Sequence, residues 1–182
     1  MSRLPVEAAK ASYTLAMRWR PDLTVATIVA RQGRFLMVEE HIGGRLVLNQ
    51  PAGHVEDGES ILEAAIRETL EETAWHVQPQ HLVGTYLWRN PRNGSTTLRF
   101  ALAADALHEQ VGQALDRGIV AAHWLSREQL VSHSHRLRSD LVLRCIDDWL
   151  AGQRFDLTAL ATVRDSATTA VPLASTIRGT GS

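Results

Sequence analysis

Cysteine is nearly absent: Cys145 stands alone among 182 residues, so no internal disulfide framework is available. A reducing compartment, the cytoplasm, is the expected setting. Lysine is scarce too, Lys10 being the sole one among 19 basic residues, but an arginine bias by itself carries no inference. Excess charge of one sign is missing. The 20 acidic residues offset the 19 basic ones to a formal net charge of -1, which leaves no broad electropositive field for a nucleic-acid polymer. No apolar run approaches the ~20 residues of a spanning helix. Met1 to Arg20 holds no continuous apolar core of signal-peptide length. These absences point to small-molecule chemistry away from membranes; a monomer is the expected state, with a homodimer as the alternative.

A hydrophobic content of 45% over this length supports one real core. The expected division is an N-terminal arm over 1–21, a catalytic domain over 22–160 and a disordered tail over 161–182, where Thr, Ser, Ala and Gly dominate without periodicity. Leu23 to Ala30 and Phe35 to Glu39 read as a hairpin around the Gln32-Gly33 turn, and Leu46 to Leu48 as a short strand. Asn49-Gln50-Pro51-Ala52-Gly53 breaks regularity and reads as a shaped loop. Val83 to Trp88, Thr96 to Ala103 and Ile119 to Leu125 are further strands, followed by helices over Arg127 to Val131 and Asp140 to Leu150.

Between these lies the clearest helix. Ser60 supplies a cap and Glu63, three residues on, completes a capping box. Leu62, Ala65, Ile66, Thr69, Leu70 and Thr73 form a stripe suited to packing on a sheet, with Glu68, Glu71 and Glu72 expected together on the opposite face. Like charges at these spacings cost roughly 0.2–0.5 kcal/mol per pair. A bland acidic face would carry lysine partners, whereas this helix offers only Arg67. A bound cation resolves the imbalance, and hard carboxylate oxygens without cysteine or paired histidine favour Mg²⁺, with Mn²⁺ as substitute, over zinc.

Gly53, Glu59, Arg67, Glu68, Glu71 and Glu72 stand at the spacing of the Nudix box, six fixed positions over 20 residues, and the chain resembles that hydrolase family. The resemblance implies an α/β fold, an α/β/α sandwich with a mixed β-sheet and a catalytic loop and helix. It implies metal held by Glu68, Glu71, Glu72 and the backbone carbonyl of Ala52, with Arg67 fixing the carboxylates of Glu68 and Glu59. It further implies a glutamate as proton acceptor, Glu68 or Glu71, with Asp116 or Glu109 as outside contributors. Thr69 departs from the usual aliphatic residue. Ala74 replaces the glycine after the helix; a left-handed residue there costs about 1 kcal/mol, so an altered helix end is expected.

Beyond the box, Asn49 to Glu56, Gln78 to Leu82, Leu98-Arg99-Phe100, Leu137-Arg138-Ser139 and Gly152 to Phe155 resemble a phosphatase branch of the family. That branch removes the terminal phosphate from nucleoside tri- and diphosphates and from thiamine-pathway pyrophosphates. Rival readings are a nucleoside triphosphate pyrophosphohydrolase, another nucleoside diphosphate-linked hydrolase, or a module that senses nucleotides without cleaving them. The candidate substrate-binding residues are Arg99, Trp88, Glu39 and His54. Each has a structural alternative: core packing for Trp88, a local hydrogen bond for His54, and edge protection for Glu39 and its neighbour Glu40. Arg89 is the weaker phosphate clamp beside Arg99, and His133 and His135 read as solvent-facing.

Overall fold

The computed structural model describes residues 19–163. The arm and tail expectations therefore fall outside the described residues, apart from positions 19–21 and 161–163. Strands β1 (Asp22–Arg31) and β2 (Arg34–Ile42) turn over Gln32 and Gly33, both at positive φ. Then follow β3 (Arg45–Asn49), β4 (Ala52–His54), helix α1 (Ile61–Thr73), β5 (Trp75–Arg89), β6 (Thr96–Glu109), β7 (Ile119–Ser126), α2 (Arg127–Ser132) and α3 (Leu141–Leu150). Among the described residues no helix is long and apolar enough to cross a membrane.

β1 joins two parts of one sheet. Thr24 to Ala26 pair antiparallel with β4, Asp22 to Val29 pair parallel with β6, and β6 pairs antiparallel with β5. Its last residues pair with β2, which carries β3 and β7 on its flanks. The alternation of side chains along β1 and β6 divides the core between the two faces. Val25 and Leu102 pack with Ala64 and Ala65 of α1, while Ile28, Ala101 and Ala103 pack with Val142, Cys145 and Ile146 of α3. The mixed sheet between helices is the architecture expected from the sequence.

Three details differ from the sequence expectation. The Asn49 to Gly53 breaker contains the short strand β4, because Ala52, Gly53 and His54 register against Ala26, Val25 and Thr24. β5 begins at Trp75, directly after α1, and runs through Pro79, where the ladder shifts register and so tolerates the missing N–H. The third concerns the phase of α1. Its buried residues are Ala64, Ala65, Glu68, Thr69, Glu72 and Thr73, while Ile66 is 37% exposed. The small residues let the helix lie close to the sheet, and Thr69 and Thr73 satisfy their hydroxyls on the carbonyls of Ala65 and Thr69 at 2.7 and 2.5 Å. Glu68 and Glu72 are thus sunk beside β4 and do not lie opposite the packing stripe.

Candidate active site

The capping box fixes where α1 begins: Ser60 accepts from the Glu63 backbone, and Glu63 reaches back to the Ser60 N–H at 2.7 Å. Two turns later Arg67 gathers the acidic residues. Its Nε donates to Glu59 at 2.7 Å, its Nη1 to Glu68 at 2.9 Å and Glu71 at 3.0 Å, and its Nη2 to the His54 carbonyl at 3.0 Å. One guanidinium therefore ties the loop before α1, two carboxylates and β4 together. Glu59 foremost, with Glu68 and Glu71, holds the Arg67 pKa above its ordinary value. The pairing of Arg67 with Glu59 and Glu68 is the arrangement the family resemblance implies.

Glu72 accepts a hydrogen bond from the Ala52 N–H at 2.8 Å and is 8% exposed. Burial pushes its pKa up to about 8 against that hydrogen bond, and the nearby charges of Glu68, Glu40 and Asp116 push the same way. Burial also raises the Glu68 carboxyl, opposed by Arg67. Asp116 comes to this place because its N–H donates to the Glu71 carbonyl at 2.9 Å. Glu109 closes β6 at an exposed position.

These donors fit a hard divalent cation on two grounds. All are oxygens, and the charge they bury exceeds what Arg67 alone supplies. Among the described residues no three carboxylate or imidazole groups already converge as a finished cage. Arg67 holds one oxygen each of Glu68 and Glu71, and the Ala52 N–H holds one oxygen of Glu72, so these bonds leave the second oxygen of each carboxylate uncommitted.

Beside this cluster, on the α3 face of the sheet, lies a cavity of about 490 Å³. Strand register builds its floor. Thr24 sits opposite both His54 and Arg99, and Thr97 opposite both Asp22 and Trp88, so side chains from four strands meet in two rows. Glu40, Asn49, Arg138, Ser139 and Leu141 close the other walls. Arg99 is 7% exposed, its Nε and Nη1 have no partner, and burial lowers its pKa.

Three of the four candidate substrate-binding residues, Arg99, Trp88 and His54, thus line one cavity, together with Ala52. Glu39 does not. It bonds His123 Nε2 at 3.2 Å and pairs with Arg136, and Glu40 takes the place on the cavity wall. Strand alternation separates the two environments, and between these residues β2 also shifts register against β7, where Val120 is the extra residue. Arg89 is exposed and outside the lining, as is His135, while His133 is bound to the end of α2. Sequence reasoning assigned no role to Thr24, Asn49 or Arg138. The signal available was that Asn49 and Arg138 fall in segments resembling the phosphatase branch.

The NUDIX domain family model matches residues 19–145. The chain is 40% identical over 139 residues to phosphatase NudJ of Escherichia coli (strain K12), covering 76% of this chain and 90% of that protein. A NUDIX hydrolase from Nitrosomonas europaea superposes with a TM-score of 0.78 at 40% identity, over 79% of this chain and 98% of that one. A UDP-X diphosphatase shares the fold at a TM-score of 0.62 and 18% identity, over 85% of this chain and 75% of that one. A family match over most of the chain, a relative at this identity, and a Glu59, Arg67, Glu68, Glu71 and Glu72 cluster set beside Gly53 lead to one conclusion: the chain belongs to the Nudix hydrolase family.

Proposed function

We propose that this Nudix hydrolase is a Mg²⁺-dependent phosphatase. Its substrates would be nucleoside tri- and diphosphates and thiamine-pathway pyrophosphates, among them hydroxymethylpyrimidine pyrophosphate and thiamine pyrophosphate, each losing its terminal phosphate. The observation that carries the reading is the 40% identity to phosphatase NudJ across 76% of the chain. Nudix hydrolases generally use divalent metals such as Mg²⁺, and the oxygen-only donor set suits that ion.

Glu68, Glu71, Glu72 and the Ala52 carbonyl would hold the cation. When bound, it supplies neutralisation of phosphate charge and acidification of the attacking water. The protein supplies the rest. Arg67 orients the oxygens of Glu68 and Glu71, and one of these two accepts the water proton. Arg99, desolvated and unpaired, donates to a phosphate oxygen. Trp88 offers a ring face at the cavity wall, and His54 borders the phosphate end beside Gly53.

A substrate panel with Mg²⁺, scored for both orthophosphate and pyrophosphate, tests this. Orthophosphate from a nucleoside triphosphate is the expected product. Pyrophosphate would make the enzyme a pyrophosphohydrolase, and nucleotide binding without turnover would make it a sensing module.

A further inference from the structure

Six buried side-chain nitrogen and oxygen atoms among the described residues have no hydrogen-bond partner, and five belong to residues lining the active-site cavity. They are Thr24 Oγ1, Glu40 Oε1, Asn49 Oδ1, and Nε and Nη1 of Arg99. Buried polar groups are ordinarily satisfied, so such a cluster around one cavity marks where the polar groups of a ligand belong.

The unpaired atoms sort by chemistry. Arg99 offers only donors. On the β2–β3 side the unpaired atoms are acceptors, Asn49 Oδ1 and Glu40 Oε1, with Arg138 Nη1 3.7 Å from the other Glu40 oxygen, Oε2. The two walls are within electrostatic reach, since Arg99 and Glu40 each feel the other's charge. A ligand matching both must carry an anion at one end and N–H donors at the other. At about 490 Å³ the cavity is of small-molecule size, and Trp88 gives it an aromatic side.

We propose that Glu40 and Asn49 form an acceptor edge that reads the amino group of a substrate heterocycle, with Glu40 as the specificity-determining residue, while Arg99 takes a phosphate oxygen of the same molecule. The phosphate half rests on the phosphatase reading above. The amino half is independent of which phosphorus is attacked. An aminopyrimidine such as cytosine presents N–H to this edge; uracil presents a carbonyl oxygen there and leaves two buried acceptors facing a third. Sites built to bond a donor reject the analogue without it, because their own buried groups are left unpaired.

The test compares kcat/KM for CTP and UTP, which share one triphosphate chain, in the parent, Glu40→Gln and Asn49→Ala enzymes with Mg²⁺. The parent is expected to favour CTP by about tenfold or more. Glu40→Gln is expected to lower the CTP/UTP ratio by about 10- to 100-fold, chiefly through KM, since its amide presents N–H to the uracil carbonyl. Asn49→Ala should shift the ratio the same way by less, and it carries the test if circular dichroism shows Glu40→Gln unfolded. An unchanged ratio in a folded variant overturns the proposal. So does an equal loss of kcat on both nucleotides with an altered Mg²⁺ requirement, which would place Glu40 in the metal centre. Measured as dissociation constants, the same ratio decides the acceptor edge even where neither nucleotide is hydrolysed, an outcome that counts against the phosphatase reading alone.

Discussion

Gly53 is required by Glu68, not by backbone conformation. A Cβ at position 53 would lie 2.1 Å from Cδ of the Glu68 side chain, so any larger residue must displace that carboxylate. Gly53→Ala is expected to keep its far-ultraviolet circular dichroism and lose about 100-fold in kcat/KM, the order of cost for a catalytic group misplaced by an ångström. Glu72→Gln tests the buried carboxylate itself. Turnover should fall by orders of magnitude while thermal unfolding shows the fold retained; equal turnover in mutant and parent would remove Glu72 from the mechanism. At this scale the box residues were legible in the sequence because their spacing is fixed within one helix and its approach loop. The exchange between Glu39 and Glu40 was not. The two look alike as neighbouring glutamates, and only the continuation of β2 to Ile42 shows that strand alternation sends Glu39 toward His123 and Arg136 and Glu40 to the cavity.

At the scale of elements, α1 shows why some features were readable and others were not. Its start was, since Ser60 and Glu63 form the capping box that their spacing predicts. Its rotation was legible only in part: Ala65, Thr69 and Thr73 of the expected stripe are buried, but Ile66 is exposed and the packed face turns instead to Ala64, Glu68 and Glu72. Close approach to the sheet favours small side chains over hydrophobic ones, and hydropathy periodicity does not register that preference. Its end was misjudged too. Ala74 keeps the left-handed conformation of the glycine it replaces, with φ 62° and ψ 12°, and its N–H bonds the Leu70 carbonyl at 2.8 Å. The helix end is therefore unaltered and strained. Ala74→Gly should stabilise the protein by about 1 kcal/mol, read as a higher urea midpoint at unchanged slope. Ser60→Ala should destabilise it by about 1 kcal/mol in the same assay.

For the whole molecule, the sheet sets two features on its opposite faces: α1 presents the acidic cluster from one, and the start of α3 bounds the cavity lined by Arg99 and Trp88 on the other. β4 connects them, since Ala52 meets Glu72 while Ala52, Gly53 and His54 all line the cavity. Glu39 supports this arrangement by tying β2 to β7 and to the turn containing Arg136. Its hydrogen bonds to His123 and then Arg136 hold its pKa below the ordinary 4.5. A folded-state pKa lowered in this way stabilises the protein above the unfolded value, and that contribution is lost as pH falls through the folded value. Urea midpoints from pH 6 down to pH 3 should accordingly fall less steeply in Glu39→Gln than in the parent.

The central claim is that Glu68, Glu71 and Glu72 are crowded together, the first and last of them buried, in order to hold a divalent cation. The most direct test is Mn²⁺ titration followed by the paramagnetic resonance of the free ion, in the parent and in the folded triple variant Glu68→Gln, Glu71→Gln, Glu72→Gln. The parent should deplete the free-ion signal and release it on addition of Mg²⁺, while the triple variant leaves the signal untouched. Equal depletion by both proteins would show that the cation binds elsewhere and would contradict the account.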